Sequence, residues 1–320
     1  MKNGFVKVAA ATPDIRVADV EFNTQNIINA MEEAQKNGAK ILVFPELCVT
    51  GYTCSDLFDH SVLLKASRKA LLEIAENTND KDMLVFVGAP LEVNGKLYNV
   101  AAAMNQGEII GFTTKTFLPN YGEFYEKRWF TSADKRLSDE ITLNYVANRP
   151  TVPFSPNIII KDLRGAIVGT EICEDLWVSA PPSGELCKAG ANIIINPSAS
   201  NDVIGKREYR RSLVAMQSGR CRAGYVYASS GAGESSTDLV FSGHCIIADN
   251  GRIAGETSDY SKRMNKKVSE DDVMSSGFVI SEIDIDRCMN DRHRYNSDSW
   301  ADVPDVIKVI LNGENRMKDY

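Results

Sequence analysis

The chain alternates between short apolar runs and longer amphipathic stretches, and the two patterns predict strands and helices. Short apolar runs bounded by polar residues are typical of buried strands. Such runs predict strands at residues 6–11, 41–44, 83–87, 100–104, 158–160, 167–170, 193–195, 226–228, 245–248 and 279–283. Apolar residues at three-to-four spacing predict helices. These lie at residues 22–36, 61–76, 184–188 and 207–222.

Three pairs of turn residues separate neighbouring strand segments and predict β-hairpins. They are Asn94-Gly95, Gln106-Gly107 and Asn250-Gly251. Such pairs accept the backbone angles of tight hairpin turns. Because helices also alternate with strands early in the chain, the pattern predicts an α/β protein with hairpins in a mixed sheet.

The last part of the chain has a weaker pattern. Residues 258–276 are polar and charged and predict a long surface excursion, whereas residues 292–302 predict a connector. Residues 307–311 predict the start of another helix. We therefore predict one domain over residues 1–288, followed over residues 289–320 by a linker or the start of a further domain that is not present.

Composition and charge are those of an ordinary soluble globular protein. The 320 residues are 43% hydrophobic and 25% charged. A formal net charge of -7 argues against a nucleic-acid partner, since phosphate binding needs an excess of Lys and Arg. No apolar stretch reaches the length of a membrane span, and the amino terminus lacks a signal-peptide layout. We expect a cytoplasmic protein without a membrane partner.

The seven cysteines are an odd number and show no close CxxC spacing. That count argues against a disulfide framework, and the spacing argues against a zinc site. The three histidines show no spacing typical of a metal site either. We therefore expect reduced thiols and no bound metal.

Three residues with complementary chemistry follow predicted strands. Glu46 follows ILVFP, Lys115 follows IIGFTT, and Cys173 follows AIVGTEI. A thiol attacks a carbonyl well when a base takes its proton and a cation meets the oxyanion that forms. Glutamate, lysine and cysteine supply these parts. Taken singly, however, each is equally explained as a helix cap or surface acid, a surface lysine, or a buried structural cysteine.

Two other segments invite a functional interpretation that their spacing does not support. The segment SSGAGESS around Gly231 and Gly233 lacks the spacing of a phosphate loop and predicts a mobile loop. The basic cluster KREYRR at residues 206–211 contains Glu208 and predicts a solvated helix face.

Five segments around the three residues together indicate a family. They are FPELCVTGYTCSDLF, KTFLPNYGEFYEKRWF, EICEDLWVSAPPSG, NPSASN and TDLVFSG. In this order they resemble the carbon–nitrogen hydrolase (nitrilase) superfamily. More narrowly, they resemble the glutaminase domain at the amino end of glutamine-dependent NAD synthetases. The resemblance covers about residues 1–290 and implies a four-layer αββα sandwich.

The resemblance also implies roles for individual residues. Glu46 matches the general base, Lys115 the lysine that stabilises the oxyanion, and Cys173 the nucleophile. Glu126 matches a second glutamate that supports the lysine. The substrate pocket of the glutamine-using members is lined at the positions of Tyr52, Tyr121, Phe124, Glu174 and Ser200.

A pocket for free glutamine needs an acid for the ammonium and a cation or backbone N–H groups for the carboxylate. Glu126 and Glu174 are candidates for the acid, and Lys206 or a backbone N–H for the cationic side. Lys206 is equally explained as part of the solvated helix face. Ser200 is equally explained as a turn residue after a strand.

The implied reaction is hydrolysis of the L-glutamine side-chain amide through a cysteine thioester, without a cofactor. The ammonia would serve an NAD synthetase domain or subunit that uses ATP and magnesium to amidate nicotinate adenine dinucleotide. The SGGxDS-type phosphate loop of such a domain is absent from this sequence, so we expect the synthetase as a missing domain or a separate subunit. Superfamily members pair through a helical face, which implies a homo-oligomer.

Two other functions remain open from the sequence. One is a stand-alone amidase or nitrilase of the same superfamily with another substrate. The other is a catalytically silent scaffold that uses the sandwich for assembly, against which the intact Glu-Lys-Cys set argues.

Overall fold

The structure is a computed structural model of the chain, and it describes residues 4–146, 150–162, 164–236, 238–257, 277–295, 303 and 305–311. The excursion predicted at residues 258–276 lies outside the described residues, and so do residues 296–302 of the predicted connector.

Fifteen strands and five α-helices form the described part of the chain. The strands are β1 (Phe5–Ala11), β2 (Ile41–Val43), β3 (Leu84–Val93), β4 (Lys96–Asn105), β5 (Glu108–Thr114), β6 (Glu140–Thr142), β7 (Thr151–Pro153), β8 (Ile158–Lys161), β9 (Ile167–Thr170), β10 (Ile193–Ser198), β11 (Gly224–Ser229), β12 (Ile246–Asp249), β13 (Arg252–Glu256), β14 (Phe278–Asp284) and β15 (Ile307–Ile310). The helices are α1 (Val20–Lys36), α2 (Ser61–Glu76), α3 (Pro182–Lys188), α4 (Lys206–Cys221) and α5 (Ile285–Arg294).

The strands form two large mixed sheets and one small pair. The first sheet has the order β14-β1-β2-β3-β4-β5, and the second has the order β13-β12-β11-β10-β9-β8-β15. Strands β1, β2 and β3 are parallel, as are β9, β10 and β11. Strands β6 and β7 pair separately. The three predicted hairpin turns are confirmed, since they join β3 to β4, β4 to β5 and β12 to β13.

Three apolar clusters define four layers. Side chains alternate between the two faces of a strand, so Val85 and Val87 of β3 face one way and Leu84 and Phe86 the other. The first cluster joins α1 and α2 to the first sheet, the second lies between the two sheets, and the third joins α3 and α4 to the second sheet. The predicted αββα sandwich is confirmed.

Apolar side chains fill the space between the two sheets. Val8 and Val43 of the first sheet and Ile193 and Ile195 of the second are fully buried between the sheets. Each such side chain contributes about 1.5–3 kcal/mol by leaving water. This apolar layer fixes the two sheets face to face. Residues at the strand ends of one sheet therefore keep a constant position relative to those of the other.

The end of the chain differs from the sequence-based prediction. Residues 307–310 form strand β15, parallel to β8, and not the start of a helix. A short apolar run by itself does not distinguish a strand from the start of a helix. Here the run forms a strand because it pairs with the free edge of β8. The domain boundary predicted at residue 288 falls inside helix α5.

Helix α5 is fastened to the second sheet by a buried arginine. The guanidinium of Arg292 is 2% exposed and donates to the carbonyl oxygens of Ala191 at 2.6 Å, Cys221 at 3.0 Å and Arg222 at 3.2 Å. These carbonyls lie beside the carboxyl end of α4 and the start of β10. One side chain thus joins three segments.

We predict that Arg292→Ala lowers the free energy of unfolding by about 2–4 kcal/mol, because it leaves buried carbonyl oxygens without donors. Chemical denaturation of the two proteins measures this difference. Arg294→Ala is the matched control, since Arg294 lies on the same helix and is exposed. An equal loss in both variants would contradict the role assigned to Arg292.

Candidate active site

Glu46 lies just beyond β2 in a turn that presses against the neighbouring strand. Its backbone N–H donates to the Ser198 carbonyl oxygen of the second sheet at 3.3 Å. A Cβ atom at Gly88 of β3 would lie 2.4 Å from both the Pro45 oxygen and the Leu47 nitrogen. The absence of a side chain at Gly88 therefore lets this turn approach β3 and places the Glu46 carboxylate at the sheet end.

Lys115 directly follows β5 and lies between two carboxylates. Its Nζ donates to Glu46 Oε1 at 2.5 Å and to Glu126 Oε1 at 2.6 Å. Asn99 Nδ2 donates to the same oxygen of Glu46 at 2.6 Å, and the Tyr52 hydroxyl donates to Glu126 Oε1 at 2.7 Å. The lysine and both glutamates are buried. The sequence-predicted base, lysine and supporting glutamate therefore form one hydrogen-bonded cluster.

Burial and charge act against each other in this cluster. Burial alone would lower the pKa of Lys115, but the carboxylates of Glu126 and Glu46 outweigh it and raise the pKa well above its ordinary value. Burial raises the pKa of Glu126 to about 7, although Lys115 opposes the shift. Lys115 therefore stays cationic at neutral pH, while Glu126 titrates there.

Cys173 follows β9 and begins a short 3₁₀ turn, Cys173–Leu176. Its side chain is buried, and burial together with the Glu46 carboxylate raises the pKa of the thiol well above its ordinary value, with Lys115 opposing. The thiol is thus protonated at neutral pH and needs a base. Within the described part of the chain, Glu46 Oε2 has no hydrogen-bond partner, so this oxygen is free to accept a proton.

Asp175 joins the cysteine turn to the lysine segment. Its Oδ1 accepts the N–H groups of Thr116 at 3.2 Å and Phe117 at 2.8 Å, and its Oδ2 accepts the N–H of Ile172 at 2.9 Å. Burial raises the pKa of Asp175 to about 7. The residues that follow Lys115 and the residue that precedes Cys173 are therefore held by one side chain.

An acid and two aromatic rings lie next to Cys173. The Tyr121 hydroxyl donates to Glu174 at 2.9 Å, and the Tyr121 and Phe124 ring centroids are 5.9 Å apart. Glu174 is half-buried, and burial raises the pKa of its carboxyl group. Tyr121 is 58% exposed, whereas Phe124 is buried. Three of the predicted pocket residues thus form one connected group, in which Tyr121 contacts both Glu174 and Phe124.

A cationic group lies opposite this acid. Lys206 Nζ is 5.7 Å from the centre of the Phe124 ring and 5.2 Å from that of Trp177. It also donates to Asn201, and burial lowers its pKa. Ser200 is buried below, where its hydroxyl oxygen accepts from the Arg210 guanidinium at 3.3 Å. Lys206 therefore begins helix α4 beside the Phe124 and Trp177 rings, and its partly buried position differs from the solvated face predicted for this segment.

The two acids predicted for the substrate ammonium differ in their surroundings. Both hydrogen bonds of Glu126 go to its Oε1, from Lys115 and Tyr52, whereas Glu174 accepts from the exposed Tyr121 hydroxyl. Among the described residues, Glu126 Oε2 has no hydrogen-bond partner, and Glu126 lines a cavity together with Tyr52, which was predicted to line the pocket. Both acids therefore stay candidates for the ammonium.

Two buried polar residues of the site were not predicted. Asn99 is a polar residue inside the apolar strand β4. A polar residue in such a strand is a sequence signal that could have identified it as a candidate site residue. Glu234 lies in the glycine-serine segment, and its Oε2 accepts the Tyr52 N–H at 2.7 Å. Glu234 is fully buried, and burial raises its pKa to about 7. In this segment, predicted as a mobile loop, the backbone lies close to residue 15, since a Cβ at Gly233 would lie 2.3 Å from the Ile15 oxygen.

The family comparison agrees with this geometry. A family model described as carbon–nitrogen hydrolase matches residues 7–286. The chain belongs to this family. The carbon–nitrogen hydrolases are enzymes, and the match includes Glu46, Lys115, Glu126 and Cys173.

Curated relatives give a narrower likeness. Over 273 residues the chain is 36% identical to the glutamine-dependent NAD(+) synthetase of Mycobacterium tuberculosis, covering 85% of this chain and 40% of the relative. It is 30% identical over 261 residues to the human glutamine-dependent NAD(+) synthetase, covering 80% of this chain and 36% of the relative. The chain thus spans about two fifths of the length of these relatives.

Solved structures share the fold. A glutamine-dependent NAD(+) synthetase from Cytophaga hutchinsonii has a TM-score of 0.71 at 29% identity, over 87% of this chain and 42% of that one. An amidase of the nitrilase superfamily from Nesterenkonia has a TM-score of 0.66 at 18% identity, over 94% and 99% of the two chains. The second likeness concerns the fold alone.

Among the described residues, no helix combines the length and apolar character needed to cross a membrane. The same residues contain no group of three or more His, Cys, Asp or Glu side chains arranged to hold a metal ion.

We predict that Gly88→Ala lowers the free energy of unfolding by about 1–3 kcal/mol, because the added methyl group overlaps the backbone on either side of Glu46. Urea denaturation measures the change. Gly184→Ala in α3 is the control, since a Cβ there meets nothing within 4 Å. That control should be neutral or slightly stabilising, and a Gly88→Ala protein of unchanged stability would refute the close approach.

Proposed function

We propose that this chain hydrolyses the side-chain amide of L-glutamine and supplies the ammonia to an NAD synthetase domain or subunit. The observation that carries the proposal is that the acid Glu174 and the cation Lys206 contact two neighbouring rings, Tyr121 and Phe124 respectively, beside the buried Glu46–Lys115–Cys173 site. Free glutamine carries an ammonium and a carboxylate at one end, which this pair complements. The names of the curated relatives support the same substrate.

In the proposed first half-reaction, Cys173 forms a bond to the amide carbon. Glu46 takes the thiol proton, for which its free Oε2 is suited. Lys115 and the backbone N–H of Glu174 stabilise the negative oxygen of the tetrahedral intermediate. Glu46 then gives the proton to the nitrogen, the carbon–nitrogen bond breaks, and ammonia leaves a γ-glutamyl thioester.

In the proposed second half-reaction, water replaces the thiolate. Glu46 takes a proton from the attacking water, the carbon–sulfur bond breaks, and the proton returns to Cys173 as L-glutamate forms. No metal or organic cofactor takes part in either step of this proposal. Glu126 acts through Lys115, since it shares the lysine charge with Glu46.

The proposed use of the ammonia lies outside this sequence. We assign amidation of nicotinate adenine dinucleotide, with ATP and magnesium, to a synthetase domain or a separate subunit. This assignment is supported by relatives named glutamine-dependent NAD(+) synthetase, of which the chain covers about two fifths. The chain alone is therefore expected to form glutamate and ammonia but no NAD.

We predict glutamate and ammonia release from L-glutamine that disappears in Cys173→Ala, because no other group replaces the nucleophile. Asparagine and simple aliphatic amides serve as comparison substrates. Labelling of Cys173 by a glutamine-like electrophile, read by peptide mass mapping, measures the site independently of turnover.

Three outcomes separate the candidate functions. Turnover selective for glutamine supports the proposal. Equal or faster turnover of simple amides or nitriles would replace it with a stand-alone amidase or nitrilase. A folded protein with neither turnover nor labelling, also after addition of a synthetase, would favour the scaffold.

We also predict that Tyr52→Phe moves the acid limb of the activity profile to higher pH. The Tyr52 hydroxyl donates to Glu126 and lowers its pKa, which is about 7. Without that donor the pKa rises by about 0.5–1 unit, given the usual strength of one hydrogen bond. Glu126 is then protonated at higher pH, Lys115 pairs with Glu46 alone, and Glu46 is less available to the thiol.

The measurement is kcat for glutamine hydrolysis between pH 5 and 9 in both proteins. Tyr98→Phe is the matched control, since Tyr98 is a buried tyrosine of β4 outside the site. An acid limb that stays in place, or moves to lower pH, would contradict the assigned role of Tyr52.

A further inference from the structure

Cys173 has a backbone conformation that few residues other than glycine adopt. Its φ is +46°, in the left-handed region, between extended Ile172 and the following 3₁₀ turn. This conformation costs a non-glycine residue energy and persists only where neighbouring groups hold it. A sharp turn at this point lifts the nucleophile out of the strand, so the groups that hold it matter for the reaction.

Where the backbone pairing of β9 with β10 ends, a side chain of β10 accepts the next backbone N–H group. Strand β9 pairs with β10 as far as Thr170, and the Glu171 N–H still donates to the Ile195 carbonyl oxygen at 3.1 Å. Two residues later the backbone turns away. The Cys173 N–H then donates to Oδ1 of Asn196, on β10, at 3.1 Å. The asparagine oxygen thus stands in for the next strand carbonyl.

Only one orientation of the Asn196 amide serves this purpose, since its NH₂ group cannot accept a hydrogen bond. Asn196 Nδ2 donates to the Tyr225 hydroxyl at 3.0 Å, and that hydroxyl donates its own proton to Glu171 Oε1 at 2.5 Å. The other Glu171 oxygen accepts the Ser183 N–H at 2.8 Å.

All members of this chain of hydrogen bonds are buried. An unpaired polar group is costly in such surroundings, so reversing one bond would leave another donor or acceptor unpaired. The donor of each bond is therefore fixed: Asn196 donates to Tyr225, Tyr225 donates to Glu171, and the Ser183 backbone donates to the other oxygen of Glu171.

We propose that Asn196 is a positioning residue for the nucleophile, and that Tyr225 and Glu171 fix the direction of its amide so that Cys173 keeps its left-handed turn. None of the three contacts the reacting atoms. They act on the reaction through the Cys173 backbone. The kinetic part of this inference rests on the glutaminase function proposed above, whereas the reactivity of the thiol does not.

One consequence concerns the oxyanion. The N–H of Cys173 is already bound to Asn196, so it does not serve the negative oxygen of the intermediate. Glu174 is the second residue of the 3₁₀ turn, and the first N–H groups of a helical turn have no acceptor within it. The positioning chain therefore leaves the Glu174 N–H, together with Lys115, for that role.

The experiment compares Tyr225→Phe and Asn196→Ala with the unchanged protein. The first variant keeps the ring and removes only the hydroxyl group. We expect the rate of Cys173 alkylation by iodoacetamide, measured by peptide mass mapping, to fall about 10- to 100-fold, as expected for a misplaced reacting group. For glutamine hydrolysis we expect kcat to fall in parallel and KM to stay within about twofold, since the pocket walls are untouched.

Matched controls separate positioning from general loss of stability. Asn105→Ala removes a fully buried asparagine at the last position of β4, whose amide donates to the Met83 carbonyl oxygen at 3.1 Å and not to a residue of the site. Tyr98→Phe removes the hydroxyl of a buried tyrosine in the same strand. Thermal unfolding of all variants shows that each is folded at the assay temperature.

Alkylation that slows only in Tyr225→Phe and Asn196→Ala supports the inference. Folded variants that alkylate Cys173 at the unchanged rate would overturn it, and so would a defect confined to KM. Slowing of equal size in the Asn105→Ala and Tyr98→Phe controls would overturn it too. If the unchanged protein is alkylated but does not hydrolyse glutamine, the proposed function fails, and the alkylation rates still decide the role of Asn196.

Discussion

The site depends on one buried cation that compensates two buried acids. Lys115 lies between Glu46 and Glu126 in a part of the protein that excludes water. A single buried charge would be costly, whereas a cluster that is matched in charge and hydrogen-bonded is tolerated. Asn99 and Tyr52 complete the cluster by donating to the two carboxylates. This balance keeps a carboxylate available to a thiol that is itself protonated.

The two sheets contribute different parts of this site. Glu46, Lys115 and Glu126 are carried by the first sheet and its loops, and Cys173 follows a strand of the second. The sheets are joined near the site by polar contacts, namely Glu46 N–H to the Ser198 oxygen and Asp175 to the lysine segment. Formation of the inter-sheet core is therefore a condition for bringing base and nucleophile together.

The proposed selectivity depends on groups beside the cluster. Glu174 and Lys206 are oppositely charged and contact the neighbouring rings of Tyr121 and Phe124. The acid–thiol–lysine chemistry suits many amides, whereas this charge pair suits an amino acid. The function proposed for the chain therefore rests more on Glu174 and Lys206 than on the acid–thiol–lysine group.

The sequence by itself indicated the order of strands and helices and the three residues proposed to react. Apolar runs and turn pairs are local signals, and the segments around Glu46, Lys115 and Cys173 are specific enough to indicate a family. The run at residues 307–310 was misassigned, because strand or helix there depends on the exposed edge of β8. Local pattern carries no information about such a neighbour.

The tertiary structure alone decided how the reacting groups are supported. Glu234 lies in a glycine-serine segment that gave no functional signal, and Asn196 and Tyr225 resemble ordinary strand residues in sequence. Their roles come from contacts between residues distant along the chain, such as Tyr52 with Glu234. A hydrogen bond needs both partners in place, and only the packed sandwich brings these partners together.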